Sequence, residues 1–144
     1  MMRLEGGPPA RTAPDASQAA RAANVGTAVV VAGDEETRVL LRGLLRLHRF
    51  RIVGEADTVR QGAEIVLAQR PQVLVADAHL TQGDLTELVA ESRQGVDGIR
   101  VVVVTPATRA PPIPSGASAP DVVLLRPFRI RQFAEAILGP SSLT

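Results

Sequence analysis

Asp77 closes the stretch Pro71-Gln72-Val73-Leu74-Val75-Ala76-Asp77, in which four apolar residues run up to a carboxylate. Such a run reads as a buried parallel strand, and its last residue opens onto the space beyond the strand's carboxyl end. Open α/β sheets bind ligands on that side, in the crevice where the strand order reverses. An aspartate there serves a ligand or makes a turn or cap for the next helix, and residue type alone leaves both open. A second acidic group, Asp34-Glu35-Glu36, follows the apolar run Ala28-Val29-Val30-Val31-Ala32. Its plainest role is the acidic first turn of a helix, facing the positive end of the helix dipole. His79, two residues past Asp77, is a lone loop histidine. Metal sites need several converging ligands, so it reads as solvated.

The elements that would position these residues alternate in type. After the strand at 28–32, Leu40, Leu41, Leu44, Leu45 and Leu47 recur at helical spacing, with Arg38, Arg42, Arg46 and Arg49 opposite. They predict an amphipathic helix over 35–48. A second strand is expected over 51–55. Thr58 and Gln61 then form a capping-box signature for a helix with Val59, Ala63, Val66 and Leu67 on its inner face. Past Asp77, Asp84 and Glu87 start a helix carrying Leu85, Leu88 and Val89. Ile99–Val104 is the fourth strand, ending at Thr105, and Val122–Leu125 the fifth, ending at Arg126. A last helix is expected to bury Ile130, Phe133, Ala134, Ile137 and Leu138 before Gly139-Pro140 stops it. The pattern predicts a doubly wound, five-stranded parallel α/β sheet with right-handed crossovers, covered on both faces. One helix is missing from the alternation. Three prolines fall within Pro111–Pro114, each costing a helix interior roughly 3 kcal/mol, so the fourth helix is disrupted and 106–120 is expected to be a loop.

Composition limits the rest. The chain has 144 residues, enough for one domain, and only 2% of them are aromatic, so the core must be aliphatic. A net charge of +1 gives no field that would argue for nucleic acid or an anionic membrane. All sixteen basic residues are arginine. No cysteine is present, which excludes disulfides and thiolate metal sites and fits a cytoplasmic protein. No apolar run reaches the eighteen or so residues of a membrane span. Residues 1–26 are rich in Ala, Gly, Pro and Arg and read as a disordered arm, 27–139 as the domain, and 140–144 as a tail.

Taken in order and spacing, Val53-Gly54-Glu55-Ala56, the strand ending at Asp77, Thr105, Gly116-Ala117 and Arg126-Pro127-Phe128 resemble the receiver domains of two-component response regulators. The resemblance covers about 27–139 and implies a flavodoxin-like fold. It implies that Asp77 is the phosphoacceptor for a histidine kinase, and that Thr105 and Arg126 line the phosphate pocket. It also implies that Asp34 and Asp77 are what remains of a Mg2+ site. The departures are specific. The family's acidic pair falls on Ala32-Gly33, or on Gly33-Asp34 after a one-residue shift, and either way one carboxylate is missing. The lysine position is Arg126, bulkier and with a planar fork. The aromatic switch position is Val123, and the Pro and Gly usually found after the acceptor are Thr81 and Leu85.

The expected function is therefore that of an atypical receiver, not an enzyme, with weak Mg2+ binding and impaired phosphoryl acceptance. It would signal mainly by binding a protein, either a signalling protein or a histidine kinase, through a fixed face around Arg126, Phe128, Ile130 and Arg131. A homodimer is a further expected association. One alternative is a working stand-alone receiver phosphorylated on Asp77. The other is a flavodoxin-like binder of a small anion or nucleotide, against which stands the lack of a glycine-rich loop at Val31-Ala32-Gly33-Asp34. No output domain is read after 139, so DNA binding is not argued from this sequence, which is either complete or a receiver cut from a longer chain.

Overall fold

The computed structural model describes residues 25–80, 84–106 and 119–139. Residues 1–24 of the proposed arm, the tail and most of the proline-rich crossover lie outside the described residues, while Gly26, placed in the arm by its composition, begins the first strand. Five strands form one wholly parallel sheet: β1 (Gly26–Val31), β2 (Phe50–Ala56), β3 (Val73–Asp77), β4 (Arg100–Pro106) and β5 (Val122–Arg126). Their order is β2-β1-β3-β4-β5, so the strand order reverses between β1 and β3. The helices are α1 (Glu35–Leu47), α2 (Val59–Gln69), α3 (Leu85–Gly95) and α4 (Ile130–Leu138). None of them is long and apolar enough to cross a membrane.

Strand side chains alternate between two aliphatic cores, as a period of two requires. Val29, Val31, Leu74, Ala76, Val101 and Val103 pack under α2 and α3, against Val59, Ala63, Val66, Leu88 and Val89. Ala28, Val30, Val73, Val75, Val102 and Val104 face the other way, against Leu41 and Leu45 of α1 and Phe133 and Ile137 of α4. This is the doubly wound architecture that the alternation of elements predicts.

The inner faces are narrower than the sequence pattern suggests. Leu40 and Leu47 of α1 are exposed, as are Leu67 of α2 and Ile130 of α4. Leu67 lies at the rim between α2 and α3, where a Cβ on Gly95 would meet its side chain. Ala134 and Leu138 are only partly buried. Arg93 ties the end of α3 to the start of β5 through the Ala119 carbonyl at 2.8 Å and Asp121 at 3.1 Å. Asp121 in turn accepts the Val101 backbone N–H at 2.7 Å, fixing the entry to β5 against β4.

Gly62 sets how closely α2 approaches β1. A Cβ there would stand 2.7 Å from Val31 Cγ2 and 3.1 Å from its Cγ1, and Val31 is a fully buried strand residue that cannot move aside. Gly62→Ala gains about 1 kcal/mol of helix propensity. Overpacking costs about 1–3 kcal/mol. Net destabilisation is expected in urea unfolding followed by circular dichroism; a more stable variant would show that α2 can move away from β1.

Candidate functional site

The candidate site residues Asp34, Asp77, Thr105 and Arg126 lie at one edge of the sheet, the carboxyl ends of the strands. Asp77 ends β3, and its register partner is Val104, the residue before Thr105 on β4. Arg126 ends β5, and Asp34 follows β1 on the loop into α1. The β1 and β3 ends flank the point where the strand order reverses, which is where ligands enter such sheets.

Asp77 is buried, with 8% of its surface exposed. Its Oδ1 accepts the backbone N–H of His79 at 2.9 Å, a local turn contact. The His79 residue is exposed and serves Asp77 through its backbone. Thr105 is fully buried, and its Oγ1 has no hydrogen-bond partner among the described residues. A buried hydroxyl left unpaired costs about 1–3 kcal/mol.

Asp34 is the N-cap of α1. Its Oδ2 accepts the Thr37 backbone N–H at 3.0 Å and the Thr37 hydroxyl at 2.8 Å. Glu35 and Glu36 form the exposed acidic first turn. The Thr37 hydroxyl bond, then the Thr37 backbone bond, hold the Asp34 carboxyl below its ordinary value, and the Arg126 guanidinium adds a smaller pull the same way. Ahead of Asp34, Ala32 and Gly33 bring no side-chain oxygen. The Ala32 backbone is fixed by its N–H to the Ala56 carbonyl at 3.0 Å and by Arg38 Nη1 on its carbonyl at 2.7 Å. Among the described residues no group of three or more His, Asp or Glu lies close enough to hold a metal ion. Mg2+ is bound through one or two carboxylates together with waters, and of the two acidic candidates at this edge, Asp34 and Asp77, Asp34 is engaged by Thr37.

Thr37 is the residue that the sequence reading passed over. It is buried, and its hydroxyl donates to Asp34 while accepting Arg126 Nη1 at 3.4 Å. One turn before Leu41 on the inner face of α1, a threonine in an otherwise leucine-rich stripe was the available signal. Arg126 thus reaches from the end of β5 back to the start of α1. The Arg126–Pro127 peptide is cis. Glu55, from the Gly54-Glu55-Ala56 segment, pairs with Arg42 of α1 at 2.9 Å.

Solved structures share this architecture. The signal receiver domain of the response regulator NarL from Mycobacterium tuberculosis superposes with a TM-score of 0.69 at 20% identity, covering 83% of this chain and 98% of that one. The fold is that of response-regulator receiver domains. A receiver domain of a sensor histidine kinase from Pseudomonas aeruginosa, which has a magnesium ion coordinated in its active-site cleft, gives a TM-score of 0.65 at 15% identity over 78% of this chain and 93% of that one. The anti-anti-sigma factor PhyR from Bartonella quintana matches at 16% identity with a TM-score of 0.61. The match covers 85% of this chain but 49% of PhyR. No protein-family model and no curated protein matches the sequence.

The capped carboxylate predicts acid sensitivity at α1. A lowered aspartate pKa adds stability that is present above the unfolded-state value and lost as pH falls through the folded-state value. Asp34→Asn keeps an oxygen for the cap and removes the titration. Urea unfolding between neutrality and pH about 3 should show a shallower acid loss in the variant. Equal losses in both proteins would mean that Asp34 is not the group responsible.

Proposed function

We propose that the chain is a signalling domain of the receiver type that acts mainly by binding a protein partner in the cytoplasm, with impaired Mg2+-dependent phosphoryl acceptance at Asp77. The observation that carries this is the state of Asp34. It is the first carboxylate after β1, and its Oδ2 accepts both the backbone N–H and the hydroxyl of Thr37 at the start of α1. Moving a phosphoryl group onto an aspartate brings two anions together, and a divalent cation normally offsets their repulsion. Here a cation would have to compete with the helix cap for Asp34. Arg126 supplies positive charge at the end of β5, yet its Nη1 lies against the Thr37 hydroxyl.

A partner-binding face is supported by the groove of about 390 Å³ lined by Leu40, Leu44, Arg126, Pro127, Phe128 and Ile130. Phe128 stacks on the buried Phe133 with ring centroids 5.8 Å apart, which holds the groove floor rigid. Arg126 and the aromatic Phe128 are the residue kinds that interfaces favour. Val123 carries no ring that could swing toward Thr105, so the face is read as constitutive, open to a signalling protein or a histidine kinase.

The second reading, a receiver phosphorylated on Asp77, is favoured by a buried aspartate and a buried, unpartnered Thr105 hydroxyl at the ends of adjacent strands. The two readings separate by experiment. In pull-downs, Asp77→Ala should keep the partner, and Arg131→Glu should weaken its binding roughly tenfold or more. Loss with Asp77→Ala and retention with Arg131→Glu would restore the phospho-switch. Acetyl phosphate, followed by intact mass, should modify the protein slowly and through Asp77 alone; rapid stoichiometric modification abolished by Asp77→Asn would contradict the impaired-acceptor reading.

A further inference from the structure

Helix α1 is apolar on two faces. Leu41 and Leu45 are fully buried in the core. On the solvent side, Val39, Leu40 and Leu47 are 48%, 41% and 59% exposed. At 3.6 residues per turn, Val39, Gly43 and Leu47 share one stripe, with Gly43 at its centre. A Cβ on Gly43 would meet nothing within 4 Å, so neither the core nor a neighbouring element requires glycine there. Charge is ordered along the same helix. Glu35 and Glu36 lie in the first turn, Arg46 in the last, and Arg49 just beyond it. All four are exposed, and none is ion-paired among the described residues.

We propose that this stripe is the two-fold contact of a homodimer, with α1 of a second copy lying antiparallel across Gly43. The positions are self-complementary about that glycine. Val39 is four residues before it and Leu47 four after, so each Val39 meets the other copy's Leu47. Glu36 is seven residues before Gly43, while Arg46 and Arg49 are three and six after. The acidic start of each helix therefore lies over the basic end of the other. A glycine at the crossing lets the two backbones approach closely, and the isologous arrangement closes on itself at two copies. Leu40, at the edge of the stripe, joins it to the groove beside Ile130. A contact built on one helix pair falls at the small end of specific interfaces, so dimerisation should depend on concentration. The proposal does not rest on how Asp77 is used.

The full chain tests it by sedimentation equilibrium over a range of concentrations. Wild type should show a monomer–dimer equilibrium. Gly43→Gln should raise the urea midpoint, since the helix gains a better former in open space, while weakening the dimer on the order of tenfold. Glu36→Arg should weaken it similarly through like charges, and the double variant with Arg46→Glu should recover part of the loss. Gly43→Cys, in a chain with no other cysteine, should oxidise to a disulfide-linked dimer far faster than an Arg60→Cys control. A chain that stays monomeric would overturn the proposal. So would a dimer that Gly43→Gln leaves intact, or a Gly43→Cys variant that crosslinks no faster than the control.

Discussion

The central sheet is covered on both faces, and the site depends on that constraint. Along β3 all five residues are buried, and along β4 only the two end residues are less than buried. An unpaired polar group inside such a layer costs several kcal/mol at the high end of its range. Polar side chains on these strands are therefore confined to the ends. The parallel arrangement then collects Asp77, Thr105 and Arg126 on one edge, next to the loop that carries Asp34. The site follows from the layering.

Within that edge, the outcome turns on what one carboxylate does. An aspartate after β1 can cap a helix, serve a cation, or share its two oxygens between them. Asp34 caps. Thr37 strengthens the choice by adding a hydroxyl bond to the backbone one, and Arg126 closes on the same hydroxyl from β5. This links the start of α1 to the end of β5, the two elements that frame the groove by Phe128. A link made from side chains of the chain itself does not come and go with an ion.

The layers were legible because valine runs and the leucine stripe of α1 carry their periods plainly. The caps at Asp34, Thr58 and Asp84 were legible as well, since a cap is decided within a few residues. Exposure was less so. Leu40, Leu47, Leu67 and Ile130 are as apolar as their buried neighbours, and only the packing of other elements decides which of two adjacent leucines is covered. Thr37 was missed for a related reason. Its role depends on Arg126, 89 residues away, and no local pattern encodes that meeting. The same limit applies to Arg93, which joins α3 to Asp121 across the sheet.

A titration with Mg2+, alone and with beryllofluoride, tests the central claim most directly, read from the backbone amide shifts of Asp77, Ala78 and Thr105. The chain has no Trp or Tyr to report binding by fluorescence. With Asp34 held by Thr37, shifts should be small and far from saturation at millimolar Mg2+, and beryllofluoride should not drive them to completion. Saturating shifts at sub-millimolar Mg2+, with beryllofluoride locking a second state, would contradict the account.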